Sequence, residues 1–183
     1  MIKIRLFPCY PEGQSLGMQI EKLEEEFEET ITAKELDKAS ECLGKASEYL
    51  DLAQVATGLL DIAGDNNYIH DYTLKELRRY NIIFKDNLYR EVGMYSYLIL
   101  GDKYEDILAH RLVTRCLTAV YRLCKEYGEE CGVDHTFVLS NLLTDHRNKL
   151  ESRRKEWANE ELRKECRYIE GYCSYCGGCN AES

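Results

Sequence analysis

Two short acidic runs stand out for the chemistry their spacing allows. Glu25-Glu26-Phe27-Glu28-Glu29 is followed, about eighteen residues on, by Glu48-Tyr49-Leu50-Asp51. On a helix, carboxylates at i and i+3 lie one turn apart on a common face. Two such pairs facing each other across a helix pair would form an all-oxygen cage, a donor set that suits Mg²⁺ better than a softer metal. Asp51 carries most of this argument. It sits between Leu50 and Leu52 in a stretch that continues through Val55, Leu59, Leu60 and Ile62. A carboxylate buried in such a helix is costly unless something pairs with it, and a divalent cation is one such partner. The Glu-rich run alone would also fit the solvated face of an amphipathic helix, a reading that leaves Asp51 unexplained.

A complementary basic run lies near the other end, from Asp145 to Trp157. Lys149 and Arg153 share a helix face at i and i+4, with Arg154 adjacent. Together they could clamp phosphate oxygens, lysine as a point charge and arginine as a fork; the competing reading is a solvated helix end with ion pairs to Glu151 and Glu156. Cations held by the acidic residues would neutralise phosphate oxygens and lower the pKa of a coordinated water, whose proton a further carboxylate could take. The four histidines are dispersed. His146, one turn before Lys149, could approach a substrate, with a surface or capping role preferred. At the C-terminal end, Cys166, Cys173, Cys176 and Cys179 offer four thiolates for a structural Zn²⁺ or an iron–sulfur cluster. A tail of reduced cysteines is the alternative.

These residues must be positioned by helices. Residues 1–13 read as an extended arm ending in the turn-prone Pro11-Glu12-Gly13. Leu16, Ile20, Leu23 and Phe27 then recur at helical spacing over about 15–30. A polar linker follows over about 32–45. Ser47 is placed as the cap of a helix whose apolar part, Leu50 to Ala63, belongs at the centre of a bundle until Gly64-Asp65 stops it. Thr73 is placed as the cap of a helix over 74–94. Further helical patterns cover 104–127 and 135–166, separated by Gly128 and Gly132. No strand is expected after residue 7, so the fold class is an all-α helical bundle.

Composition agrees with a globular chain of one main domain: 183 residues, 44% hydrophobic and 31% charged. The two prolines, Pro8 and Pro11, precede the first helix. A net charge of −9 argues against a general nucleic-acid binder, which needs a basic surface. Nothing approaches a membrane span, the N-terminal residues are too charged for a signal-peptide core, and a cytoplasmic location is the default expectation. Nine cysteines, an odd number, preclude complete pairing within one chain, and the five outside the tail read as reduced thiols.

Taken together, Lys22-Leu23-Glu24-Glu25-Glu26-Phe27-Glu28-Glu29 and Glu48-Tyr49-Leu50-Asp51-Leu52 resemble the EExxE…ExxD signature of the all-α nucleotide pyrophosphohydrolases (MazG-like). Lys149–Trp157 is similar to the phosphate-binding helix end of that group, and Gly132-Val133-Asp134 to the usual entry into that helix. The resemblance implies a bundle of the all-α NTP pyrophosphohydrolase type that hydrolyses a nucleoside triphosphate, with Mg²⁺, to monophosphate and pyrophosphate. It implies Glu26, Glu29, Glu48 and Asp51 as metal ligands and Glu25 as the group that orients water or takes its proton. Lys149, Arg153 and Arg154 would contact phosphates. A homo-oligomer, dimer or tetramer, with sites near subunit interfaces is also implied. Glu24-Glu25-xx-Glu28 is an equally legal register, so Glu28 and Glu29 are interchangeable at this level. The stretch 66–115 exceeds the family's usual connection and reads as an inserted helical segment within a catalytic domain of 14–165, followed by the Cys-rich tail, 166–183. The alternative function is a non-enzymatic helical adaptor or nucleotide-binding protein with a metal-binding tail.

Overall fold

The computed structural model describes residues 3–32, 38–65, 71–101 and 104–165, and the backbone of 168–169 and 172–173. It is predominantly helical. The elements are β1 (Lys3–Arg5), α1 (Leu16–Thr32), α2 (Lys38–Ile62), β2 (Asp71–Thr73), α3 (Leu74–Ile83), α4 (Leu88–Leu100), α5 (Asp106–Cys131), α6 (His135–Glu165), β3 (Tyr168–Ile169) and β4 (Tyr172–Cys173).

The core is built around α2 and α5. Leu50, Leu52, Ala53, Ala56, Leu59 and Leu60 of α2 are buried, as are Leu112, Val113, Cys116, Leu117, Ala119 and Val120 of α5. With apolar residues on several sides, α2 can be covered by α1 on one flank and α5 on another, while α6 reaches its Asp51 turn. Helices α1 and α2 run antiparallel, since Gln19 meets Val55 while Glu26 meets Glu48. Their approach at the first of these points depends on Gly58, where a Cβ would come within 2.5 Å of the Gln19 amide nitrogen. That amide instead donates to the Val55 carbonyl at 3.0 Å. Helix α4 closes the other side of α1, with Tyr97 edge-on to Phe27 at 5.2 Å between ring centroids.

Three expectations about the elements are corrected. First, α2 starts at Lys38, so Ser47 lies inside the helix rather than at its cap, and part of the expected polar linker is helical. Buried Cys42 and Ala46 supply the apolar side that carries the helix back past Ser47. Second, 74–94 is two helices. Phe84 ends α3, and a turn closed by the Asn87 amide on the Phe84 carbonyl leads into α4. Arg122 of α5 holds that end: its guanidinium donates to the Asn81 side-chain oxygen at 2.6 Å and to the Lys85 carbonyl at 2.9 Å. Thr73 caps α3 as expected, within a reciprocal capping box with Glu76. Third, strands occur after residue 7. β2 pairs antiparallel with β1 (Ile4 opposite Tyr72), and β3 pairs with β4. The β1–β2 pair pins the N-terminal arm to the bundle by burying Ile4 and Leu6.

Helix α5 runs unbroken through residue 115, so the stretch 66–115 contains α3, α4 and the start of a central helix. It ends where Gly132 takes a left-handed φ of +67° and donates its amide to the Gly128 carbonyl. Among the described residues, no helix is long and apolar enough to cross a membrane. Cys42, Cys116 and Cys124 are buried, Cys9 is half-buried and Cys131 exposed, and among the described residues none of the five is in a disulfide. In the C-terminal tail, Cys166, Cys176 and Cys179 lie outside the described residues, and Cys173 is described only through its backbone in β4.

Candidate metal centre

The inner face of α1 carries Leu23, Glu26, Phe27 and Thr30, at the three- and four-residue intervals of one helix face. Leu23 and Phe27 drive that face into the bundle, and Glu26 goes in with them, only 1% exposed. One turn on, Glu29 lies at the rim. The antiparallel course of α2 brings Glu48 opposite, and one carboxylate oxygen from each of Glu26, Glu29 and Glu48 falls within 4.8 Å of the others. Glu29, not Glu28, is the member of this group. Glu24 and Glu28 are exposed on the outer face of α1. Glu25 is exposed as well and accepts from the Lys22 ammonium at 2.7 Å.

Asp51 follows one turn after Glu48 and is 2% exposed. Its partners come from α6. The Lys149 ammonium donates to Oδ2, and the His146 ring places Nδ1 3.3 Å from Oδ1. That second contact is electrostatic more than a well-aligned hydrogen bond, because Oδ1 has no properly directed donor. His146 is therefore buried at the site rather than serving as a surface or capping group. Its position three residues before Lys149, on the same helix face, was the signal available in the sequence. Lys22 is a second residue whose part was not anticipated. Four residues before Glu26, it reaches that carboxylate at 3.1 Å.

Of the basic residues, Lys149 reaches the acidic centre. Arg154 faces the N-terminal arm and donates to the Pro8 carbonyl at 3.0 Å. Arg153 is half-buried one turn beyond Lys149 on α6. Trp157 is also half-buried.

The electrostatics follow from this crowding of carboxylates. Burial, then the negative charges of Asp51 and Glu29, push Glu48 up to about 7, while Lys149 opposes them. Burial and the Asp51 charge likewise raise Glu26 against the pull of Lys22. For Asp51 burial also works against ionisation, but His146 and Lys149 outweigh it and hold the group below the ordinary carboxylate range. The centre thus contains one firmly ionised carboxylate beside two whose burial and negative neighbours oppose ionisation. Glu26 Oε2 is buried without a hydrogen-bond partner. A hard cation matches these needs, since it accepts oxygen donors and supplies the missing charge. The residues present fit such an ion, with Glu26, Glu29 and Glu48 as the group able to hold it and Asp51 alongside.

No protein-family model, curated protein or solved structure matches the chain.

Proposed function

We propose that this chain is a Mg²⁺-dependent nucleoside triphosphate pyrophosphohydrolase, a hydrolase acting on the α–β phosphoanhydride to release monophosphate and pyrophosphate. The observation that carries the reading is the convergence of Glu26, Glu29 and Glu48 from two antiparallel helices, with a buried carboxylate oxygen left unpartnered. The resemblance of the two acidic runs to the EExxE…ExxD signature gives that convergence its chemical direction.

In this reading Glu26, Glu29 and Glu48 hold the metal. A bound Mg²⁺ would supply charge neutralisation on the phosphates and an acidified water. Asp51 stands next to them as a fixed negative charge, oriented by Lys149 and His146. Lys149 is 42% exposed at its side chain, so its ammonium can exchange Asp51 for a phosphate oxygen without leaving a buried cation behind. Glu25 stands outside the metal-holding group, and its part is to orient the attacking water or accept its proton. Arg153 extends the basic face along α6. Arg154, turned toward Pro8, is not needed for this chemistry.

The test is pyrophosphate release from a panel of ribo- and deoxyribonucleoside triphosphates, with Mg²⁺ and with EDTA, by the wild type and by Glu48→Gln. Metal-dependent formation of monophosphate and pyrophosphate, lost in the variant, is the expected result. Absence of turnover together with no Mg²⁺-induced rise in melting temperature would overturn the proposal.

A further inference from the structure

A second cleft, of about 470 Å³, lies between the N-terminal arm and α6. Its walls include Lys3, Arg5 and Phe7 on one side and His146, Arg147 and Arg154 on the other, with Gln54 of α2 also lining it. Three features meet there that the acidic centre does not use. The first is a pair of buried polar side-chain atoms without partners. Gln54, 4% exposed, spends its amide N–H on the Phe7 carbonyl, and its Oε1 has no partner. His146, 8% exposed, turns Nδ1 toward Asp51, and its Nε2 has none. Buried polar atoms of this kind are ordinarily partnered.

The second feature is charge. Among the described residues, Lys3, Arg5, Arg147 and Arg154 line the cleft against a single lining carboxylate, Glu151. Arg5 is held by Asp71 at 2.7 Å, and Lys3 lies 3.6 Å from the same group. Arg147 and Arg154 are exposed and forked, the geometry that recognises phosphate. The third is Phe7, whose side chain lines the same cleft while the residue is 59% exposed, a flat apolar face available for stacking.

We propose that this cleft binds a nucleoside monophosphate. Its phosphate lies on Arg147, Arg154 and Lys3, and its base packs on Phe7, over the Gln54 and His146 side of the cleft. The volume is in the range of small-ligand pockets. The binding needs no metal, and the proposal does not rest on the reading of the acidic centre.

The experiment is calorimetric titration of the full chain in EDTA. The probes are the four ribonucleoside 5′-monophosphates, ribose 5-phosphate and inorganic phosphate. At least one nucleotide is expected to bind with Kd below about 1 mM, and more tightly than ribose 5-phosphate or phosphate. Arg147→Glu should weaken it by about tenfold or more, with Lys3→Glu repeating the charge test from the opposite wall. Phe7→Ala should weaken the nucleotide by about fivefold while leaving ribose 5-phosphate unchanged. Glu48→Gln should have no effect. All these side chains except Glu48 belong to exposed residues, and a circular dichroism melt verifies that each variant is folded. The proposal is overturned if no nucleotide binds, if ribose 5-phosphate binds as tightly, if the charge reversals or Phe7→Ala bind like the wild type, or if Glu48→Gln abolishes binding. The last result would place the ligand at the acidic centre instead.

Discussion

Removing one charge from the acidic centre should stabilise the metal-free protein, and should do so only at the alkaline end of its range. Glu48 titrates near 7 in the folded chain against about 4.5 for an ordinary glutamate. Between those values the folded state binds more protons than the unfolded state, so the contribution of Glu48 to stability falls as pH rises from about 4.5 to about 7 and stays low above that. A shift of this size would correspond to ~3.4 kcal/mol for a fully buried group. Glu48 is only half-buried, and solvent screening reduces the expectation to about 1 kcal/mol. Glu48→Gln removes the penalty while keeping the shape. Thermal melts in EDTA should show the variant about 2–4 °C above the wild type at pH 8 and level with it at pH 4.5. The contributions of Glu26 and Asp51 are common to both proteins, so the difference between the two pH profiles isolates position 48 to first order. Added Mg²⁺ should raise the melting temperature of the wild type at pH 8 and have little effect on the variant. A variant less stable than the wild type at pH 8, or a difference independent of pH, would refute this account of the electrostatics.

Other positions offer independent checks. Asp51→Asn leaves Lys149 free to turn to solvent but removes the carboxylate that faces buried His146, and should cost about 2 kcal/mol in chemical denaturation, with turnover abolished. Leu59→Ala, in the middle of the α2–α5 core, should cost about 2–5 kcal/mol by the same measurement. Ile82→Ala, on an exposed side of α3, should stay within about 0.5 kcal/mol of the wild type. Gly132→Ala forces a side chain into the left-handed turn that ends α5 and should cost about 1 kcal/mol, with enhanced amide exchange confined to the 128–135 region.

What could be read from the chain itself is what depends on local periodicity. The alternation of apolar and charged residues at intervals of three and four dictated helices. The absence of proline after Pro11 left them unbroken by that residue, and Gly132 marked the end of α5. Thr73 was legible as a cap because a capping box is a four-residue property. The density of acids on α1 and the apolar setting of Asp51 were equally local facts.

Other features required the packed molecule. The break at Phe84 depends on Arg122, nearly forty residues away in sequence, gripping the end of α3. The extension of α2 back to Lys38 depends on a core ready to receive Cys42 and Ala46. The register of the first acidic run was undecidable among five nearly consecutive glutamates. Which of them meets Glu48 depends on how α1 is rotated when Leu23 and Phe27 enter the core, and that rotation brings Glu29, itself exposed, within reach of Glu26 and Glu48 and leaves Glu28 outside the group. Asp51, Lys149 and His146 are one cluster only because α6 returns across α2. A histidine or lysine on a helix carries no mark of which distant carboxylate it will face. Helical period is written into neighbouring residues, whereas the partners of a side chain are chosen by the tertiary fold.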